Sequence, residues 1–235
     1  MNERVVIITG AAGNLGRAVA AVFESQGARL VLTARRAEVL RDLYGEENAR
    51  CIHAGADLQD ADQAAAVARL AVARFGRIDA LCNLVGGFRM GPAVHETPAA
   101  DLDFLYDINV RTALHMMQPV LPQMIAQREG WIVNIGAAAA AAAAGGAVGM
   151  GAYVAAKSAL VRLSESASAE LREQGVHINC VLPTIIDTPE NRTAMPHADP
   201  SRWVAPVDLA KVIAFLASED ARAIHGVSLP VSGLS

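Results

Sequence analysis

The feature that most constrains the fold of this chain is a repeated alternation of short apolar runs with longer segments of helical periodicity. Several of the runs are apolar throughout, which is typical of parallel strands that helices cover on both faces. We predict strands at residues 5–9, 29–33, 50–53, 80–85, 131–135, 177–182 and 227–231. We predict helices at residues 15–26, 37–44, 60–75, 99–126, 153–173 and 207–217. This order predicts an α/β fold, a doubly wound parallel sheet of about seven strands with helices on both faces.

The composition of the chain fits one domain of this kind. The 235 residues are enough for one large α/β domain, and no linker or shift of composition divides residues 1–235. Apolar residues make up 53% of the chain and aromatic residues only 4%, so aliphatic side chains must fill the core. The net charge of −4 provides no broad basic surface, so we expect no nucleic acid partner.

The cysteines and the apolar segments bear on the cellular compartment. Cys51, Cys82 and Cys180 show no Cys-x-x-Cys spacing and lie in apolar runs, which predicts reduced buried thiols and no metal site. The first residues lack the pattern of a signal peptide. The uncharged stretch 130–156 could span a bilayer by length, but its alanines are weakly apolar and its glycines argue against one continuous helix. We therefore expect a cytoplasmic protein without a membrane partner.

The first predicted strand runs into a glycine-rich turn and then into a helix. The turn contains Gly10, Gly13 and Gly16, with Asn14 and Leu15 between the last two glycines. Glycines let the backbone approach a pyrophosphate, and the first turn of a helix offers free N–H groups and the positive end of its dipole. A plain strand–helix turn is the alternative, but the position after the first strand favours a Rossmann-type dinucleotide site.

Further motifs follow this turn in a fixed order. They are Asp57-Leu58 after the third strand, Asn83-Leu84-Val85-Gly86 after the fourth, Asn109 in a long helix, Tyr153-x-x-x-Lys157 in another helix, and residues 183–188 after the sixth strand. Together with the glycine turn, their order and spacing resemble the short-chain dehydrogenase/reductase family along nearly the whole chain. The turn and the resemblance assign these residues to coenzyme binding: Gly10, Gly13, Asn14, Leu15, Gly16, Arg35, Arg36, Asp57, Leu58, Asn83, Val85, Gly86, Tyr153, Lys157, Pro183, Ile186 and Thr188.

Two positions bear on the affinity and the choice of coenzyme. Asn14 stands where this family usually has glycine. Because Asn tolerates positive φ better than most residues, we expect the turn to form. The property that this replacement would affect is the affinity for the coenzyme. After the second strand the chain has Arg35 and Arg36 in place of an acidic residue that would bind the ribose of NAD. Because arginine pairs well with phosphate, the sequence favours NADP(H), with NAD(H) possible. The alternative to phosphate binding is that both arginines are simply exposed to solvent where the next helix begins.

The resemblance implies a proton-transfer group made of Tyr153, Lys157 and Asn109. Tyr153 and Lys157 are four residues apart and therefore share one helical face. Tyr153 would be the general acid, and a nearby ammonium would lower the pKa of its phenol from about 10 toward the working range. Lys157 would supply that ammonium and hold the nicotinamide ribose, and Asn109 would anchor a water that relays protons.

The chain lacks a serine that the family resemblance leads us to expect. In this family it lies after the fifth strand, thirteen residues before the tyrosine, which corresponds to Ala140, or to Ala137 when the strand end is aligned. No Ser or Thr occurs from Trp131 to Ala152. Loss of one such donor costs about 10²–10³ in rate. The substrate is therefore expected to be electrophilic already, or a backbone N–H or a water substitutes, or redox chemistry has been lost.

A second resemblance bears on the substrate. Residues 184–192, Met195-Pro196 and Trp203 are similar to dihydropteridine reductases, a branch that also has alanine in place of the serine and reduces a quinonoid dihydropterin. We predict a substrate lid at residues 189–204, where Trp203 and Met195 could close over an apolar ring. Phe88 and Met90, after the fourth strand, could contact the same ring, with ordinary packing as the alternative for each residue.

These patterns predict an NADP(H)-dependent reductase of a small activated substrate that is quinonoid, iminium or a conjugated carbonyl. The alternatives are an isomerase or dehydratase of the same family without net hydride transfer, and a coenzyme-binding protein without redox activity. The family resemblance also implies a homodimer or homotetramer that pairs the helices predicted at residues 99–126 and 153–173.

Overall fold

The computed structural model describes residues 3–141 and 146–235. Within these residues one parallel sheet of seven strands has the order β3-β2-β1-β4-β5-β6-β7. The strands are β1 Val5–Thr9, β2 Arg29–Ala34, β3 Cys51–Gly55, β4 Ala80–Asn83, β5 Gly130–Ile135, β6 Val176–Pro183 and β7 Ser228–Val231. The doubly wound α/β prediction is confirmed. Because the strand order reverses between β1 and β4, a crevice opens there at the carboxyl ends of the strands.

Helices connect the strands, and one predicted helix contains an unexpected turn. They are α1 Asn14–Ser25, α2 Ala37–Tyr44, α3 Ala61–Phe75, α4 Ala99–Tyr106, α5 Thr112–Gln127, α6 Gly151–Leu171, α7 Pro189–Ala194 and α8 Pro206–Leu216. The prediction of one helix over 99–126 is confirmed, because the chain is helical throughout 99–127, but a π-helical turn that the sequence did not predict, Asp107–Arg111, lies between α4 and α5. Among the residues that the structure describes, no helix combines the length and apolarity needed to cross a bilayer.

The sheet is covered on both faces, as its apolar strands predict. One face packs against α1, α2 and α8 through residues such as Phe23, Leu40 and Ile213. The other face packs against α3 and α5 through residues such as Val67 and Met116. All five side chains of β1 are buried, and alternate residues contribute to opposite layers. The core therefore fixes the carboxyl ends of β1, β4, β5 and β6, where the polar motifs of the sequence lie.

Candidate functional site

The glycine turn between β1 and α1 has the close geometry that its composition predicts. Gly10 takes a left-handed φ of +64°, and its carbonyl accepts a hydrogen bond of 3.0 Å from the N–H of Gly13. A Cβ on Gly16 would collide with the carbonyl of Gly10, so this position accommodates only glycine. Gly13 then caps α1 without a side chain, and the first turn of α1 carries no acidic residue. The positive end of this helix thus faces the crevice without a side-chain cap, which fits an anionic diphosphate.

Asn14 does not take the positive φ that its replacement of glycine suggested. It is the first residue of α1, and the non-glycine residues with positive φ are Glu3 and Arg128 among those described. The left-handed conformation belongs to Gly10, so the turn does not depend on conformational tolerance at Asn14. Its side chain instead donates a hydrogen bond of 2.8 Å from Nδ2 to Oε2 of Glu190.

Two residues that the sequence did not single out hold the turn in place. The Thr9 hydroxyl oxygen accepts hydrogen bonds from the N–H groups of Leu84 and Val85, at 2.9 and 3.3 Å, and so joins the ends of β1 and β4. The Tyr44 hydroxyl donates a hydrogen bond of 2.6 Å to the carbonyl of Ala11 from the end of α2. Both contacts join segments far apart in the chain, so no local motif could predict them.

The residues predicted to contact the adenosine end lie at the carboxyl ends of β2 and β3. Arg35 and Arg36 follow β2 with exposed side chains, and neither forms an ion pair within the described part of the chain. Asp57 is exposed after β3, and its carboxylate accepts a hydrogen bond of 3.0 Å from the N–H of Gln59. Leu58 is buried beside it. Two free guanidinium groups at the end of β2 are suited to a phosphate.

Gly86, Asn109 and Lys157 meet at one point of the crevice, although they lie on three separate segments. A Cβ on Gly86 would lie 2.8 Å from Oδ1 of Asn109 and 3.1 Å from Nζ of Lys157. Lys157 is only 5% exposed, and its Nζ donates a hydrogen bond of 2.7 Å to the carbonyl of Ile135. Burial lowers the pKa of Lys157 to about 8. Its other two N–H donors remain available to a bound molecule.

Asn109 is fully buried in the π-helical turn and is bonded to the backbone. Its Oδ1 accepts a hydrogen bond of 3.1 Å from the N–H of Gly87, and its Nδ2 donates bonds of 2.9 Å to the carbonyls of Gly87 and Leu105. This side chain therefore holds the loop after β4 against Lys157. The water that Asn109 was expected to anchor stays a prediction.

Tyr153 lies one helical turn before Lys157 on α6, but its pKa shifts against expectation. Burial raises the pKa of Tyr153 to about 12, where the sequence predicted a lowering by the lysine. Burial disfavours the charged phenolate, and the Lys157 ammonium, which donates to the carbonyl of Ile135, does not offset that effect. The edge of the Phe88 ring meets the Tyr153 ring, with 5.0 Å between centroids and an 84° angle between planes. Phe88 itself is 58% exposed, so it forms part of the wall beside the phenol.

The position of the missing serine is apolar in the structure too. Ala137 and Ala140 are buried in the segment that follows β5, and the N–H of Ala140 donates a hydrogen bond of 2.9 Å to the carbonyl of Ala137. This bond occupies the amide of Ala140, so that N–H is not free to replace a serine hydroxyl.

A buried polar network lies behind Lys157 and gives Asn83 a structural role that the sequence did not predict. Asn83 donates a hydrogen bond of 2.8 Å to Asn134, which donates one of 2.8 Å to the Ser164 hydroxyl oxygen. The thiol of Cys180 donates to the same oxygen at 3.2 Å, and burial raises the pKa of this thiol to about 11. Asn83 is 4% exposed, so its side chain is buried on the face of the sheet that α5 covers, and its contact with the coenzyme stays a prediction.

The segment after β6 lies beside the crevice, but not all of its residues that were predicted to contact the coenzyme or the substrate face that crevice. Pro183 ends β6, Ile186 bridges to Val204, and the Thr188 hydroxyl caps α7 by accepting a hydrogen bond of 3.2 Å from the N–H of Asn191. Trp203 is only 7% exposed, which favours ordinary packing, the alternative that the sequence left open, over contact with a substrate ring.

Comparisons with known proteins bear on the family and the fold of this chain. The family model described as short chain dehydrogenase matches residues 4–199. Oxidoreductase UcpA of Salmonella typhimurium is 32% identical over 252 residues, covering 99% of this chain and 94% of that protein. The solved structure of ElxO with NADP bound has a TM-score of 0.89 at 26% identity, covering 99% of this chain and 98% of the other. The structure of NAD⁺-bound xylitol dehydrogenase has a TM-score of 0.85 at 25% identity, with the same two coverages.

Proposed function

We propose that this chain, which belongs to the short-chain dehydrogenase family of oxidoreductases, is an NADP(H)-dependent reductase of a small substrate that is already electrophilic. The observation that carries the proposal is the meeting of Gly86, Asn109 and Lys157 in the crevice, one helical turn from Tyr153. An apolar segment at Ala137 and Ala140 completes the site where a hydroxyl donor was expected.

The coenzyme proposal rests on the two ends of the crevice. The turn between β1 and α1 would hold the diphosphate, and Lys157 would hold the ribose of the nicotinamide with its two remaining N–H donors. A bound nicotinamide coenzyme would supply or accept the hydride. NADP(H) is preferred because Arg35 and Arg36 are exposed and free to bind a phosphate, and because ElxO binds NADP. NAD(H) remains the second choice, since xylitol dehydrogenase binds NAD⁺.

Tyr153 is suited to donate a proton in the direction of reduction. A phenol with a pKa of about 12 is protonated at neutral pH, so it can give its proton to the substrate heteroatom as hydride arrives. Lys157 is mostly protonated at pH 7, because its pKa is about 8, so its remaining N–H donors would bind the ribose of the coenzyme one helical turn from the phenol. Asn109 contributes by fixing Gly86 and Gly87 against this pair.

The substrate class follows from the alanines. Without a hydroxyl donor an ordinary ketone is polarised less, at a cost of about 10²–10³ in rate. A quinonoid, iminium or conjugated carbonyl compound needs less polarisation. Phe88 places exposed apolar surface beside the phenol, which favours a flat ring, and Met90 is an exposed apolar side chain two residues further along the same loop. The similarity of residues 184–192 to dihydropteridine reductases makes a quinonoid dihydropterin the specific substrate that we propose first.

The proposal is tested by following NADPH absorbance with three substrates: a quinonoid dihydropterin, a cyclic iminium ion and cyclohexanone. We expect turnover of the first two at rates at least 10² above the ketone. Equal or faster reduction of cyclohexanone would refute the substrate class. Product formed without loss of NADPH would favour an isomerase or dehydratase instead.

A matched set of variants tests the role of the alanines. Ala137→Ser and Ala140→Ser each add a hydroxyl at one of the two positions equivalent to the missing serine, and Ala138→Ser is the control within the same turn. We expect one of the first two variants to reduce cyclohexanone faster by about 10-fold or more, since a new donor would polarise the carbonyl. No gain in either variant would contradict the explanation.

A further inference from the structure

We propose that Asn14 and Glu190 form a clasp across the crevice that slows the release of the coenzyme. The inference rests on the proposed coenzyme binding and adds to it a pair of residues that control how long the coenzyme stays. The contact joins the first residue of α1 to the second residue of α7, and the two residues are 176 positions apart in the chain.

The position of the contact is the first argument. Asn14 belongs to the turn after β1, whereas Glu190 follows β6, and β4 and β5 lie between these strands in the sheet. Three strand spacings separate β1 from β6, or about 14 Å. The segment after β6 must therefore cross the carboxyl ends of β4 and β5 to reach α1. The loop after β4 carries Gly86, and Lys157 lies beside it, so the contact and these residues lie at the same end of the sheet.

The geometry of the two partners is the second argument. Nδ2 of Asn14 donates to Oε2 of Glu190 at 2.8 Å, which is a normal length for a hydrogen bond to a carboxylate. Glu190 is held at the start of α7, where Pro189 precedes it and the Thr188 hydroxyl caps the helix. Hydrogen bonds from the backbone, Thr188 and Asn14 lower the pKa of Glu190, so the acceptor is ionised at neutral pH.

The identity of residue 14 is the third argument. Asn14 stands where the sequence resemblance leads one to expect glycine, and its backbone is helical, so the side chain is not needed to form the turn. A glycine in this position could not reach Glu190. The side chain of Asn14 thus has one described partner, and that partner belongs to the segment that follows β6.

The clasp is tested by the release rate of NADPH. The protein is loaded with NADPH, mixed with excess NADP⁺ in a stopped-flow instrument, and followed by NADPH fluorescence. We expect Asn14→Ala and Glu190→Ala each to release NADPH about 3–10-fold faster, the effect of losing one hydrogen bond that is exposed to solvent. The double variant should be no faster than the faster single variant, because both substitutions break the same bond.

Three further variants separate the bond from other causes. Asn14→Gly should behave as Asn14→Ala, and Glu190→Gln, which keeps an acceptor oxygen, should be slower than Glu190→Ala. Asp220→Ala removes a negative charge from an exposed site after α8 and should match the wild type. Thermal unfolding checks that each variant is folded.

The outcomes distinguish the two proposals. Wild-type protein that binds neither NADPH nor NADH would overturn the proposed function and the clasp together. Three outcomes would overturn the clasp alone. They are NADPH release at an unchanged rate in the single variants, additive effects in the double variant, and slower release from Glu190→Ala. Slower release would mean that the carboxylate repels the diphosphate.

Discussion

Replacing Lys157 with methionine should remove a pH dependence of stability that burial of this lysine creates. The pKa of Lys157 falls from 10.5 to about 8 in the folded protein because the ammonium is desolvated. Between these pH values the unfolded chain binds more protons than the folded one, so the free energy of unfolding rises with pH. At 1.36 kcal/mol per pKa unit, the wild type should gain about 2.5 kcal/mol relative to Lys157→Met between pH 7 and pH 10.

The assay is urea unfolding of coenzyme-free protein at pH 7, 8, 9 and 10. The difference between wild type and Lys157→Met isolates the lysine, because the buried thiols and phenols titrate in both proteins. Lys211→Met is a matched control, since this lysine is exposed on α8 and pairs with Asp208 at 3.2 Å. A difference that stays constant with pH would refute the reasoning, because it would show that Lys157 keeps an ordinary pKa in the folded protein.

The remaining predictions concern the crevice and the assembly. Gly86→Ala should lower the free energy of unfolding, measured in urea, by about 1–3 kcal/mol, because the new methyl group would press on Asn109 and Lys157. The same displacement should reduce turnover at least tenfold. Full activity in this variant would contradict the packing described. Replacing both Arg35 and Arg36 with alanine should weaken NADPH binding about 10–100-fold in fluorescence titrations while leaving NADH binding within twofold; equal losses for both coenzymes would count against phosphate recognition. Light scattering should give two or four times the chain mass of 24.6 kDa, and a monomer at micromolar concentration would contradict the expected homodimer or homotetramer.

The sheet and the position of Tyr153 and Lys157 on one helix could be predicted because their signals are local. The run Val5–Thr9 is apolar at every position, which already specifies a strand buried on both faces. Tyr153 and Lys157 share a face of α6 through their spacing alone. Glycines in the turn after β1 indicated a close approach of backbones, and Gly16 has that approach to Gly10.

What the sequence did not predict depends on contacts between distant segments. The apolar periodicity of residues 99–126 continues through the π-helical turn and gives no sign of it. Asn109, in that turn, bonds to Gly87, which lies 22 positions away in the chain. The pKa of Tyr153 depends on how deeply the fold buries the phenol, and the Lys157 ammonium donates to the carbonyl of Ile135 on another element. Trp203 looked like a lid residue in the sequence, whereas only the folded chain shows that it is buried.

The measurement that tests the central claim most directly is the comparison of Tyr153→Phe with the wild type in coenzyme binding and in turnover of the quinonoid dihydropterin. Tyr106→Phe, on the half-exposed tyrosine of α4, is the matched control. We predict that Tyr153→Phe binds NADPH with a Kd within twofold of the wild type and loses about 10²–10⁴ in kcat, because the proton donor is gone. Turnover unchanged by this substitution would contradict the account.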